Sequence, residues 1–229
     1  MKRNLRILTV AMLIVAMFVT SAQAITFTKL DNNKIFDEKT IQQESMDGWA
    51  KDEIMAAQNA GLIPPLTGNP SYKANISREQ FAELVVRAVE VILNKEAPAA
   101  AADKFTDTSN EEILKAYQMG IIAGRGNGIF DPNSNANRQE IATMISRAIF
   151  YIQGDTGVNL APVQGSVDSF ADKDQIDRWA RGGVGMLAAN NIMAGKLDNT
   201  TGKTYASPKA NCTVQESILL LYRLYNNSL

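Results

Sequence analysis

The sequence predicts an all-α fold made of three helix-loop-helix repeats. Three observations carry that expectation: one helical register shared by three separate stretches, a stop residue suited to left-handed backbone after each stretch, and three copies of one helix-start signature. The stretches are WAKDEIMAAQNAGLI from Trp49, TSNEEILKAYQMGII from Thr108 and WARGGVGMLAANNIM from Trp179. In register, Ile54, Ile113 and Val184 coincide, as do Ala57, Ala116 and Leu187 three positions on, which is the spacing of one helical face. Each pattern stops at Gly61, Gly120 or Asn191, residues that accept the conformation ending a helix.

A variable connector follows each stretch, and a second helix then opens with SREQF at Ser77, NRQEI at Asn137 and TVQES at Thr213. Ser, Asn or Thr accepts from a free first-turn N–H, and Gln80, Glu140 or Glu216 three residues on bonds back, so all three read as capping boxes. Behind them apolar residues recur at helical spacing: Phe81, Leu84, Val85, Ala88; Ile141, Met144, Ile145, Ala148; and Leu220, Leu221, Leu224. The expected domain limits follow: a leader over 1–24, then repeats over 25–102, 103–163 and 164–229.

The leader is expected because Lys2, Arg3 and Arg6 precede an apolar run from Ile7 to Val19, and Ala22-Gln23-Ala24 supplies small residues for cleavage. Thirteen apolar residues fall short of the roughly 20 that span a bilayer, so no membrane span is expected after processing. The leader holds three of the 23 basic residues and none of the 24 acidic ones, which leaves the remainder at a formal charge of −4. A mildly acidic chain does not suit nucleic acid, and an anionic ligand has to be caught in local pockets. Histidine is absent, which removes Ser-His and Cys-His catalysis and the common histidine zinc sites. No catalytic residue, metal or cofactor is expected. Cys212, the single cysteine, reads as a small buried residue.

The second connector carries Gly124, Asn127, Gly128, Phe130 and Pro132 before Asn137-Arg138-Gln139-Glu140. The first repeat carries Trp49-Ala50, Gly61-Leu62-Ile63 and Ser77-Arg78-Glu79-Gln80-Phe81, and the third Phe170, Asp172, Trp179-Ala180, Ile192, Gly195, Pro208 and Thr213-Val214-Gln215-Glu216. As a set these motifs resemble the S-layer homology domain in three tandem copies. The resemblance implies a pseudo-threefold arrangement in which one helix of each repeat joins a central bundle. It also implies a secreted protein of the cell wall or cell surface that binds wall polysaccharide, often carrying ketal-linked pyruvate, in grooves between repeats. The arginine after the cap, Arg78 or Arg138, is implied as the principal ligand contact. The partner implied is the polysaccharide, together with another exported envelope protein where the chain anchors more than itself. Val214 in place of arginine, Thr108 in place of tryptophan, and the Pro64–Ala74 connector depart from the pattern, so at least one groove is open to being silent or differently specific.

The residues themselves support an anion site at Arg78 and Arg138: a helix's first turn offers N–H donors and positive dipole, and guanidinium adds a planar fork for a carboxylate. Spacing alone favours a solvated or surface-paired arginine, because first-turn arginines are common, and the resemblance reverses that preference. Nearby glycines, Gly124 and Gly128, with Asn127, let backbone approach a sugar. Trp49 and Trp179 serve as core or as groove walls, with core packing the larger expected role. Arg87, Arg147 and Arg223 are expected to be structural or solvated and remote from the connectors, and Asp37, Asp107 and Asp172 to cap the first helices or line a groove, with capping the preferred role. Two other functional classes stay open: an envelope interaction module with decayed grooves, and a wall-active hydrolase using two carboxylates, although no acidic pair stands out.

Overall fold

The computed structural model describes residues 46–229. The expected leader over 1–24, the opening of the first repeat and Asp37 lie outside the described residues. Among the described residues six α-helices carry the fold: α1 (Lys51–Asn59), α2 (Arg78–Leu93), α3 (Glu111–Gln118), α4 (Arg138–Thr156), α5 (Arg181–Ala189) and α6 (Val214–Asn226). None of them is long and apolar enough to cross a membrane.

Short helices and long helices alternate, and each has the ends its sequence specifies. Gly61, Gly120 and Asn191 follow α1, α3 and α5 at φ 73°, 70° and 58°, the left-handed backbone that stops a helix. All three capping boxes form. Ser77, Asn137 and Thr213 each accept from the N–H three residues on, and the side chains of Gln80, Glu140 and Glu216 accept from the cap N–H. The anticipated stripes are buried without exception, from Phe81, Leu84, Val85 and Ala88 on α2 through Ile141 and Ile145 on α4 to Leu221 and Leu224 on α6. Full burial of one large apolar side chain stabilises by roughly 1.5–3 kcal/mol. Cys212 is fully buried, and burial raises its thiol pKa to about 11, so it stays protonated at neutral pH.

Each short helix packs on the long helix of a different stretch: α1 on α6, α3 on α2 and α5 on α4, while α2 also meets α4 and α6. The main chain just before the long helices makes a closed exchange. Ile76 N–H donates to Cys212 O (2.9 Å), Cys212 N–H to Ala136 O (3.1 Å), and Ala136 N–H to Ile76 O (3.0 Å). The first-turn donors beside it follow the same order: Arg78 and Glu79 donate to Ser134 O and Pro132 O, Arg138 and Gln139 to Ala210 O and Pro208 O, and Val214 and Gln215 to Ala74 O and Tyr72 O.

The all-α expectation holds except at one place. Lys196–Asp198 and Lys203–Tyr205 form a two-stranded antiparallel hairpin, with Lys196 opposite Tyr205. Its turn is made by Asp198, whose carboxylate accepts from Thr200 N–H (2.8 Å) and Thr201 Oγ1–H (2.7 Å), and by Gly202 at φ 65°.

The caps give a direct test. Asn137→Ala removes the acceptor for Glu140 N–H (3.0 Å) and lowers the unfolding free energy by about 1 kcal/mol. Urea denaturation at pH 7 reads this as a lower midpoint at unchanged slope.

Candidate functional site

Two clefts of like construction lie beside α4 and α6. In the α4 cleft, a cavity of about 190 Å³, Arg78 reaches across from the start of α2 to meet Arg125, Glu140, Arg147 and Trp179. Arg78 is 6% exposed, and its donors are engaged: Nε donates to Phe130 O (3.1 Å), Nη2 to Ala123 O (3.4 Å), and the guanidinium lies 4.7 Å from the centre of the Phe130 ring. Its Nη1 faces Glu140 Oε1 at 3.7 Å, and the same oxygen is 3.1 Å from Arg125 Nη2. Burial, and after it the neighbouring charge of Arg125, lower the Arg78 pKa below the ordinary guanidinium range.

The α6 cleft, about 300 Å³, repeats the arrangement with Arg138, Lys196, Glu216, Arg223 and Trp49. Arg138, 5% exposed, donates from Nε to Ala206 O and from Nη2 to Ala194 O, both at 2.9 Å. Glu216 Oε1 is 3.9 Å from Arg138 Nη1 and 3.4 Å from Lys196 Nζ. Burial works to raise the Glu216 pKa, but the Thr213 N–H, then Lys196 and Arg138, hold it below its ordinary value. Arg223 binds Glu53 through Nε and Nη2, each at 2.8 Å.

The tryptophans are placed by matching latches. Asp47 N–H donates to Gln215 Oε1 and Gln215 Nε2 donates to Asp47 Oδ2, and Asp177 and Gln139 make the same reciprocal pair. Lys73 and Lys209 add ion pairs to these two aspartates. Lys73 first, then Gln215, lower the Asp47 pKa, with a smaller contribution from the Trp49 side chain; Lys209, Gln139 and Trp179 do likewise for Asp177.

On α2 the corresponding residues differ. Val214 stands in the arginine position, Thr108 in the tryptophan position, Gln80 in the capping-glutamate position and Leu66 in that of Arg125 and Lys196. Glu83 instead accepts from Thr67 N–H (2.9 Å), Thr67 Oγ1–H (2.5 Å) and Asn110 Nδ2–H (2.8 Å), while Gln80 Nε2 donates to Thr67 O (2.8 Å). That network fastens the connector to the helix.

Several expectations need correction. Trp49 and Trp179 are 61% and 56% exposed, so neither is core; both precede their helices and stand off the buried stripe, on cleft walls. The first-turn N–H groups of α2 and α4 are not open to an anion, because connector carbonyls already occupy them. Asp107 and Asp172 do not cap the short helices. Asp107 accepts from Phe130 and Asp131 N–H (2.9 and 2.7 Å), and Asp172 from Ala206 and Ser207 N–H (both 2.8 Å), bracing the connectors under the two arginines. Arg147 and Arg223 are not remote from the connectors; each lines a cleft, and Arg147 Nη1 donates to Ile121 O (3.4 Å). Gly124, Asn127 and Gly128 sit in the connector backing the α4 cleft, with Asn127 and Gly128 in a turn at φ 50° and 73°. Arg125 and Lys196 escaped the sequence reading; their shared position one residue beyond Gly124 and Gly195 was the available signal.

A family model described as the S-layer homology domain matches residues 103–142 and 169–200. The surface-layer 125 kDa protein of Lysinibacillus sphaericus is 27% identical over 184 residues, covering 80% of this chain and 14% of that protein. An endoglucanase of Bacillus sp. (strain KSM-635) is 32% identical over 111 residues, covering 45% of this chain and 12% of the enzyme. The S-layer protein of Bacillus thuringiensis subsp. finitimus is 25% identical over 183 residues, covering 78% and 20%. The chain thus spans between 12% and 20% of the length of these relatives. Two of its segments match the S-layer homology domain, and the chain is associated with the cell surface or cell wall.

Two outcomes follow from the geometry. A Cβ on Gly195 would lie 2.3 Å from Thr204 Cγ2, 2.8 Å from Phe170 Cε1 and 3.0 Å from Tyr205 O, so Gly195→Ala lowers stability by about 1–3 kcal/mol in urea denaturation. The depressed pKa of Glu216 means its stabilisation is fully present above the unfolded value of about 4.3 and is lost as pH falls through the lower folded value. The gap in urea midpoint between wild type and Glu216→Gln therefore narrows from about pH 5 toward pH 3; a gap independent of pH contradicts the assignment.

Proposed function

We propose that the chain is a non-catalytic module that attaches itself, or an exported partner, to the cell wall by binding an acidic wall polysaccharide, with ketal-linked pyruvate as the acidic group. The observation that carries this reading is the like construction of the α4 and α6 clefts. Each combines a buried arginine, a capping glutamate, a half-exposed connector cation, a further arginine on the long helix and an exposed tryptophan. Three cations and one carboxylate line each cleft, and counting Asp131 on Arg125 and Glu53 on Arg223 still leaves one cation in excess, which suits an anion in a chain whose net charge is slightly negative. An exposed indole beside such a charge suits the C–H face of a sugar ring.

On the same reading, 25–102, 103–163 and 164–229 are three repeats in a pseudo-threefold arrangement behind a leader over 1–24. The closed exchange among Ile76, Ala136 and Cys212 supports that arrangement. Two clefts bind and the α2 face does not, because arginine, tryptophan and connector cation are replaced there together. Linked clefts on a repeating polymer gain avidity even where each is weak. Relatives named as enzymes share only a small fraction of their length with this chain. Hydrolysis of a sugar bond needs two carboxylates, whereas each cleft presents one, already tied into a capping box.

Co-sedimentation with purified cell walls tests the proposal. The wild-type chain is retained, retention disappears after the secondary polymer is extracted, and Trp49→Ala with Trp179→Ala lowers it by roughly a hundredfold or more. Retention indifferent to both treatments overturns the proposal.

A further inference from the structure

The α4 and α6 clefts divide their cations into two kinds, and the division bears on which groups are free to meet a ligand. Arg78 and Arg138 are almost wholly buried, with Nε and Nη2 committed to carbonyl oxygens in both cases. To release those donors would strand buried carbonyls. Arg125 and Lys196 differ in every respect. Their side chains are 46% and 52% exposed, and their heads rest only on carboxylates, Arg125 on Glu140 and Asp131, Lys196 on Glu216. Their backbones are fixed, Arg125 N–H by Ile129 O (2.7 Å) and Lys196 by its pairing with Tyr205, so the side chain can swing while its root stays put.

We propose that Arg125 and Lys196 are the mobile anion contacts of the two clefts: each turns from its capping glutamate to the incoming acidic group, while Nε and Nη2 of Arg78 and Arg138 stay on the connector carbonyls and hold the cleft wall. This rests on the sugar-binding reading above and assigns the side chains that capture the acid. Arginine offers a planar pair of donors that matches a carboxylate or a phosphate in two parallel hydrogen bonds, whereas lysine offers a compact charge without that geometry. The α4 cleft therefore holds its anion by a two-point contact, and the α6 cleft by charge. The two halves of the pattern vary together along the chain, since the α2 face has Leu66 at this position and Val214 at the arginine position.

The chain holds two tryptophans, one on each cleft, and their indole N–H signals in nuclear magnetic resonance report the clefts separately. The full chain freed of its leader is titrated with a methyl hexoside bearing a 4,6-linked pyruvate ketal and, in parallel, with the 6-phosphate of the same sugar. Signals are assigned with Trp49→Phe and Trp179→Phe. Arg125→Gln is expected to weaken the ketal response of Trp179 by roughly tenfold or more and to leave that of Trp49 in place. Lys196→Gln does the converse, and Lys196→Arg keeps the ketal response of Trp49. Ketal affinity that stays within about twofold of wild type after either glutamine substitution overturns the assignment while leaving sugar binding intact. Absence of any wild-type response to both probes removes the sugar-binding reading and this one with it.

Discussion

The closed main-chain exchange among Ile76, Ala136 and Cys212 is the constraint on which the rest depends. Each of these residues precedes a long helix, and each takes its donor or acceptor from a segment far away in sequence. A helix start normally leaves its first N–H groups unsatisfied. Here connector carbonyls and the capping side chain absorb them, so three helix starts are buried against one another without orphaned donors. The residue just inside each cap is then forced beneath the next connector. Where that residue is arginine, it lies between carbonyl oxygens and a capping glutamate; where it is Val214, there is no charge to accommodate.

Burying guanidinium groups is expensive unless each is paired and hydrogen-bonded. The two connectors meet that demand with Phe130 O and Ala123 O in one case and Ala206 O and Ala194 O in the other. Asp107 and Asp172 in turn hold those connector segments through pairs of backbone N–H groups. A single carboxylate oxygen then serves two cations at once, Glu140 for Arg78 and Arg125, Glu216 for Arg138 and Lys196. With Asp131 on Arg125 and Glu53 on Arg223 counted, each cleft still holds one cation more than its carboxylates, and an additional anion can share that excess positive charge. The capping box thus links helix stability to the charge state of the cleft.

Local features were legible in the sequence because local physics sets them. The caps, the left-handed stops at Gly61, Gly120 and Asn191, and the buried stripes all depend on residues within one or two helical turns. What was not legible depends on partners distant along the chain. Arg78 and Arg138 stand out by their position after the caps, yet the occupation of their helix starts by Ser134, Pro132, Ala210 and Pro208 has no sequence signal. The exposure of Trp49 and Trp179 follows from latches to Gln215 and Gln139, residues that look like ordinary polar helix positions. The hairpin at Lys196–Tyr205 is short, and its Asp198 turn sits where a helix connector was expected to stay irregular.

Binding stoichiometry tests the central claim most directly, because it counts usable clefts. Calorimetric titration of the chain over residues 25–229 with a short acidic oligosaccharide released from purified walls should give two sites per chain, and one after either tryptophan is replaced by alanine. Three sites in the wild type would mean that the α2 face binds without arginine, tryptophan or connector cation, and no sites would mean that the clefts serve another purpose; either result contradicts the link drawn between buried arginine and captured acid.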